Sequence, residues 1–298
     1  MKKYFDGKKT VITGAGSGIG RAIAYRLAEM GCHIAICDID KIGLEETSKN
    51  INLINSQIKL ITSSFDIREQ ASYEAFRDLV VSEFKTIDLL FNNAGFTIVD
   101  RADSSAIDDM KKVMDVNYWG VVTGTSLFMP FLSKDSKSHV VNLSSIYGVV
   151  SFPTQSAYCA SKHAIRSYTE CLAMENRKNR NLAFHSVHPG GVATNIVQNA
   201  KILDCSSIYK SEEALVDSIN NVLWLSPEET ANMIFKGMVK GRLHIYPGIM
   251  ARYFAFLHRI FPSKYVKIFE LWFWFEDKLS ALKKPKPSDH VVVGSATR

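Results

Sequence analysis

Over its first 246 residues the chain alternates short, almost wholly apolar runs with longer stretches that repeat at the helical period. No other feature constrains the fold as tightly. The short runs stand at 10–13, 33–37, 59–63, 87–91, 139–143, 183–187 and 243–246. Helix-length segments separate them, among others at 19–30, 68–84, 106–132, 155–176 and 227–240. Strands that are apolar on both faces belong to a parallel sheet with helices on each side. The expectation is therefore an α/β fold, a doubly wound parallel sheet forming a single domain over 1–248. A chain of 298 residues accommodates one such domain and an appendage. No internal repeat of fixed period is visible. Residues 195–224 are less regular and fall between a strand and a helix, where a loop covering a substrate would be placed.

The lysines of the first ten residues are followed by no apolar run, so no secretory leader is expected. Five cysteines, Cys32, Cys37, Cys159, Cys171 and Cys205, show neither a CxxC motif nor Cys/His ligand spacing. They read as reduced thiols packed as small hydrophobes in a cytoplasmic protein, with no metal site. The net charge of +6 resides in residues 242–286, which hold nine Lys/Arg against three acids. The main body is then close to neutral, which argues against a nucleic-acid partner.

The first strand runs directly into Thr13-Gly14-Ala15-Gly16-Ser17-Gly18-Ile19-Gly20, which opens the first long helix. Glycines allow a tight turn and a close backbone approach to a pyrophosphate, while the helix N-terminus offers free N–H groups and partial positive charge. A glycine-rich turn alone is a weak signal. The strand before it and the helix after it make it a dinucleotide-type turn. Asp38 ends the second strand, where a carboxylate can accept from both hydroxyls of an adenosine ribose and repel a 2′-phosphate. No Arg or Lys stands at Ser17 or Ile39 to welcome that phosphate, and Lys41 reads as the start of a solvated helix. NAD is favoured, with NADP the alternative.

Tyr158 and Lys162 are one helical turn apart and so share a helix face. A phenol ionises near pH ~10, and a neighbouring ammonium or an oxidised nicotinamide would lower that value. By itself such a pair is usually a solvated face. Ser145 adds weight, because it lies just past the strand at 139–143, where sheet ends meet the ligand crevice of a doubly wound fold. Ser144 is its neighbour, but adjacent residues leaving a strand point to opposite sides, and Ser145 is preferred. His163, His185 and His188 read as packing or hydrogen-bonding residues.

Together these segments resemble the short-chain dehydrogenase/reductase family over residues 7–246, with its Rossmann-type fold. The resemblance is carried by the glycine turn, Asn92-Asn93-Ala94-Gly95, Asn117 in Val-Asn-Tyr-Trp-Gly, and Asn142-Leu143-Ser144-Ser145. It continues through Tyr158-Cys159-Ala160-Ser161-Lys162 and Pro189-Gly190-Gly191-Val192-Ala193-Thr194. It implies that Tyr158 is the acid/base, that Ser145 orients the substrate oxygen, that Lys162 also bonds the nicotinamide ribose, and that Asn117 holds a water of a proton relay. Gly14, Ser17, Gly18, Ile19, Gly20 and Asp38 would bind the cofactor. Asp66 and Ile67 would flank the adenine, and Asn93, Ala94 and Gly95 its ribose. Pro189, Gly190, Val192 and Thr194 would contact the nicotinamide end. Asp66 also suits a helix cap for a helix starting near Arg68, a compatible role. The wording is similar to that of hydroxysteroid and retinol-type dehydrogenases, which implies a hydrophobic secondary alcohol or ketone of steroid-, retinoid- or acyl-chain-like kind, and a homo-oligomer. The rival reading is a non-catalytic nucleotide-sensing or lipid-binding protein on the same scaffold, against which the intact Ser145, Tyr158, Lys162 and Asn117 count.

From Ile249 the character changes. Segments 249–261 and 264–279, parted by Pro262, are crowded with aromatics from Tyr253 to Phe275 and interspersed with Arg252, Arg259, Lys264 and Lys267. No uncharged run approaches the roughly 18 residues that cross a bilayer. Residues 249–282 form a basic aromatic helical extension with two open readings. It lies in a membrane surface as a peripheral attachment, or it covers the substrate cleft or a subunit contact. Residues 283–298 read as a mobile tail.

Overall fold

The computed structural model describes residues 1–194, 196, 200–206, 208–209, 211–220 and 225–272. The segment expected to be a tail, 283–298, and residues 273–282 of the extension lie outside the described residues. In chain order the first half comprises α1 (Lys2–Phe5), β1 (Lys9–Thr13), α2 (Gly18–Glu29), β2 (His33–Asp38), α3 (Lys41–Ile54), β3 (Leu60–Ser64), α4 (Gln70–Phe84), β4 (Leu89–Asn92) and the short β5 (Ile98–Val99). There follow α5 (Ile107–Met114), a π-helical turn Asp115–Trp119, α6 (Gly120–Phe128), β6 (Ser138–Leu143), α7 (Ser156–Glu175) and β7 (Leu182–Val187). The last are β8 (Lys201–Ile202), α8 (Glu212–Asn220), α9 (Pro227–Val239), β9 (His244–Ile245) and α10 (Ile249–Ile260).

Seven strands pair in the order β3-β2-β1-β4-β6-β7-β9, every pair parallel. The register explains why the central strands β1, β2 and β4 carry apolar residues on both faces. Ile12 stands opposite Ile36 and Phe91, and these face Ile23, Leu27, Phe235 and Met238 from the helices on one side. Val11 stands opposite Ala35 and Leu90, and these face Tyr73, Phe76, Val80 and Phe128 on the other. Successive side chains therefore enter two cores, and each large one buried contributes about 1.5–3 kcal/mol. The chain leaves β1 toward β2 on one side and returns to β4 on the other. That switch opens a crevice at the C-terminal ends of β1 and β4.

The segment expected as one helix over 106–132 is broken. The π turn separates α5 from α6, and a 3-10 turn at Met129–Phe131 closes it. Apolar periodicity does not register one extra residue in a turn. Within 195–224 the irregular reading is too simple: β8 pairs with β5, and α8 follows. The N-terminus of α9 carries a full capping box, with Glu229 N–H donating to Ser226 Oγ and Ser226 N–H to Glu229 Oε2, and Pro227 at its first turn. Cys32, Cys37, Cys159 and Cys205 are buried thiols, but Cys171 is exposed rather than packed. The chain divides into two compact units, Met1–Phe256 and Leu257–Arg298. Within the second, His258, Tyr265, Phe269 and Trp272 form a run of ring contacts at 5.2–6.3 Å.

Candidate active site

The loops leaving the C-terminal ends of β1, β4, β6 and β7 converge on the crevice. The glycine turn is clamped there from β4: Asn93 Nδ2 donates to the carbonyls of Thr13 (3.0 Å) and Gly14 (2.8 Å), and Thr13 Oγ1 accepts from the N–H groups of Asn93 and Ala94. Gly14 has φ +67°, and a Cβ there would fall 2.6 Å from Ala94 Cα. A Cβ on Gly20 would fall 2.1 Å from Gly14 O. Neither position accepts a side chain without moving backbone. Ser17 occupies the N-cap of α2 without a side-chain bond to the first N–H groups, and Gly18 and Ile19 begin the helix behind it. Those donors and the glycine cradle fit a dinucleotide phosphate.

Asp38 ends β2 beside the turn, where Oδ2 accepts from Gly16 N (2.7 Å) and Oδ1 from Asp40 N (2.9 Å). Arg21, not singled out from the sequence, braces the same turn through the carbonyls of Gly16 and Gly43 and pairs with Glu46 at 2.9 Å. Asp66 is not a helix cap. Its carboxylate accepts from Arg68 Nε (2.9 Å) and Arg68 N (3.0 Å), and this pairing holds its value below the usual carboxylate range. The helix starts only at Gln70, with Glu69 at the N-cap, so Asp66 shapes the preceding turn instead. Ile67 is buried against Gly120, where a Cβ would meet Ile67 Cδ1 at 2.5 Å.

Ser145, Tyr158, Lys162 and Asn117 come together at the same edge. Ser145 follows β6 and caps a 3-10 turn, Ile146–Gly148, with Oγ accepting from Tyr147 N at 3.2 Å. Its hydroxyl also hydrogen-bonds Tyr158. Ser144 points away, buried, and donates to the Lys162 carbonyl on α7 at 2.8 Å. Lys162 is buried with Nζ donating to Leu143 O at 2.8 Å and lying 5.4 Å from the centre of the Tyr158 ring. Asn117 sits in the π turn, fully buried. Its Nδ2 donates to Phe96 O and Ser161 Oγ, and Oδ1 accepts from Phe96 N, all at 3.0 Å. A Cβ on Gly95 would lie 3.0 Å from Asn117 Oδ1 and 3.3 Å from Lys162 Nζ, so glycine lets that strand end close on both.

The electrostatics differ from the expectation drawn from spacing. Burial pushes the Tyr158 phenol up to about 12, against which the Ser145 hydrogen bond works. Burial draws Lys162 down to about 7. Desolvation disfavours the charged form of each and is the largest cause of both shifts.

The segment after β7 closes the crevice. Pro189 O accepts from Ile146 N (2.9 Å), a Cβ on Gly190 would meet Ala251 at 3.2 Å, and Val192 bridges to Leu225. Thr194 lies over the glycine turn, its Cγ2 3.2 Å from where a Cβ on Gly18 would stand. Two aromatics that the sequence reading passed over adjoin the tyrosine: Tyr147 meets Tyr158 edge-on at 6.2 Å and stacks on Phe152 at 5.2 Å. Their signal was proximity to Ser145 and Tyr158 in the chain. No group of three or more metal-ligating side chains occurs among the described residues.

Comparison with known proteins agrees with this geometry. The short chain dehydrogenase family model matches residues 8–202. A Mycobacterium tuberculosis protein bearing the name oxidoreductase SadH is 36% identical over 266 residues, 89% of this chain and 94% of that protein. A Drosophila melanogaster dehydrogenase/reductase SDR family protein 7-like is 28% identical over 281 residues, 93% of this chain and 82% of that protein. The crystal structure of a Burkholderia phymatum short chain dehydrogenase/reductase in complex with NAD superposes with a TM-score of 0.78 at 28% identity, covering 87% of this chain and 95% of that one.

Proposed function

The chain belongs to the short-chain dehydrogenase/reductase family and is an oxidoreductase of that family, and from this premise we propose that it moves hydride between NAD and a hydrophobic secondary alcohol or its ketone, of steroid-, retinoid- or acyl-chain-like kind. The observation that carries the reading is the Tyr158 hydroxyl, bonded by Ser145 and backed by buried Lys162, at the strand ends beside the glycine turn.

NAD, when bound, supplies hydride acceptance and donation at its nicotinamide C4. The glycine turn and the free N-terminus of α2 would hold its phosphates, Asp38 its adenosine ribose, Asp66 and Ile67 its adenine, and Lys162 its nicotinamide ribose. Asp38 favours NAD over NADP because its carboxylate repels a 2′-phosphate, and the Burkholderia phymatum relative holds NAD. In oxidation Ser145 donates to the alcohol oxygen and fixes it in line with Tyr158, which takes the hydroxyl proton as the phenolate, a form that the positive charge of bound oxidised cofactor would favour. In reduction Tyr158 returns it. Lys162 sits at a value near neutrality and can pass a proton on, with Asn117 behind it as the relay toward solvent. Tyr147 and Phe152 offer ring faces beside the reacting oxygen, which suits an apolar substrate.

The helix α10 supports attachment to an anionic lipid surface, from which such a substrate would be drawn. It exposes Ile249, Tyr253, Phe256 and Ile260 on one stripe, with Arg252 and Arg259 alongside. No helix among the described residues is long and apolar enough to cross a membrane. Assembly as a homo-oligomer is part of the same proposal. The test is NADH appearance, followed by its near-ultraviolet absorbance, over a panel of hydrophobic secondary alcohols, with Tyr158→Phe in parallel. Turnover that survives the substitution contradicts the mechanism.

A further inference from the structure

The backbone carbonyl of Ser145 ends a chain of polar contacts that the mechanism does not use. His188, fully buried at the end of β7, places Nδ1 3.1 Å from the Ser145 carbonyl. Its Nε2 lies 3.3 Å from Nδ1 of His244 on β9. Nε2 of His244 lies 3.3 Å from Glu170 Oε1 on α7, which also accepts from Arg166 Nε at 2.8 Å. Tyr246 stacks on His188 at 5.0 Å.

Counting donors fixes the protons. A carbonyl only accepts, so His188 must carry hydrogen on Nδ1. A neutral His188 then has a lone pair on Nε2, so His244 must donate from Nδ1. Glu170 is a carboxylate, so His244 must donate from Nε2 as well. Only a doubly protonated His244 satisfies every contact. If it loses a proton, two lone pairs face each other at one end or the other, and one bond of the chain is lost.

We propose that His188 and His244 are positioning residues: a proton on His244, held by Glu170, completes a donor chain that fixes the Ser145 peptide and so aims its hydroxyl at Tyr158. The lever is short, because the carbonyl that His188 grips also accepts Gly148 N (2.9 Å) in the turn that Ser145 caps. His188 stays neutral throughout, burial drawing it down to about 3. The groups facing it are His244, Arg166 and His163, all of which oppose its charging. For His244, burial lowers the value, Glu170 raises it and Arg166 lowers it, with Tyr246 beyond. The charged form of His244, and with it the complete chain, therefore belongs to the acidic side of the ordinary histidine range.

The inference rests on the role of Ser145 proposed above, and two readouts keep the two apart. In the ligand-free full chain, nitrogen-15 NMR of the imidazoles should find His188 as the Nδ1–H tautomer, and Glu170→Gln should lower the midpoint of His244. An Nε2–H tautomer at His188, or a His244 midpoint indifferent to Glu170→Gln, overturns the chain whether or not turnover is seen. In the kinetic arm, the panel's fastest alcohol is oxidised by the wild type, His244→Leu and His244→Asn. The asparagine amide N–H takes the place of Nδ1 at every pH. His244→Leu should lose about fivefold in kcat, the scale of one hydrogen bond, with KM for NAD unchanged. That loss, read as a ratio to wild type at each pH, should be largest at low pH and fade as wild-type His244 deprotonates, while the ratio of His244→Asn to wild type is near one at low pH and rises as wild-type His244 deprotonates. Parallel profiles for all three proteins overturn the positioning role. No turnover with any alcohol sinks the enzymatic reading and the catalytic half of this inference, leaving the NMR result to judge the chain itself.

Discussion

Replacing Lys162 with methionine should remove activity and stabilise the ligand-free fold at low pH, two effects with one cause. Lys162 is buried, and its value is drawn from 10.5 to about 7 by desolvation. Each tenfold change in proton affinity is worth about 1.4 kcal/mol, so keeping the lysine charged costs the native state on the order of 4–5 kcal/mol. The sign follows from linkage: the folded-state value lies below the unfolded one, so between the two the unfolded chain holds the extra proton. The penalty is complete below the folded value of about 7 and relieved as pH rises toward the unfolded 10.5. Methionine has similar length and no charge, which removes the penalty. It also withdraws the donor at 2.8 Å from the Leu143 carbonyl, a loss of about 1–3 kcal/mol. The expected balance is a Lys162→Met protein more stable than wild type by about 2–3 kcal/mol near pH ~6, and slightly less stable near pH ~10. Urea unfolding of both proteins at the two pH values, with equal denaturant slopes, reads this directly. A stability difference of the same sign and size at both values would refute the reasoning.

Gly14→Ala should abolish detectable NADH binding and cost stability, since the new Cβ meets Ala94 Cα at 2.6 Å from a backbone at φ +67°. Quenching of intrinsic fluorescence by NADH and a melting curve check the two halves. Asp38→Ser should lower the preference for NADH over NADPH by at least about tenfold, the scale of one close charge repulsion removed. Titration of both cofactors reads the ratio, and a wild type that prefers NADPH would show the role of Asp38 to be misassigned. Deletion from Ile249 should reduce co-sedimentation with anionic vesicles while leaving zwitterionic vesicles indifferent to both proteins. Equal sedimentation of the full and shortened chains would favour a lid or subunit contact for the extension.

The sheet was legible because each strand must satisfy two cores, as Val11 and Ile12 do on opposite faces, and such runs have few other uses. The glycine turn was legible because its neighbours on both sides are elements of the right kind. The π turn at Asp115–Trp119 was not, since the apolar rhythm of 106–132 runs through it unbroken. Nor was the pairing of β5 with β8, two-residue strands far apart in the chain, whose register depends on tertiary packing. At the site, spacing brought Ser145, Tyr158 and Lys162 onto one edge and the family resemblance added Asn117, but neither carried what burial does to their protons. The contacts of Lys162 with the Leu143 carbonyl and of His188 with His244 join residues from different strands and helices, and local pattern carries no trace of them.

The most direct measurement follows an isotope. A secondary alcohol carrying deuterium on its carbinol carbon is incubated with NAD and the full chain, and the mass of the recovered NADH is determined. The account predicts NADH one mass unit heavier with the wild type and none above background with Tyr158→Phe. Unlabelled NADH from the wild type, or equal labelling by the two proteins, would contradict it.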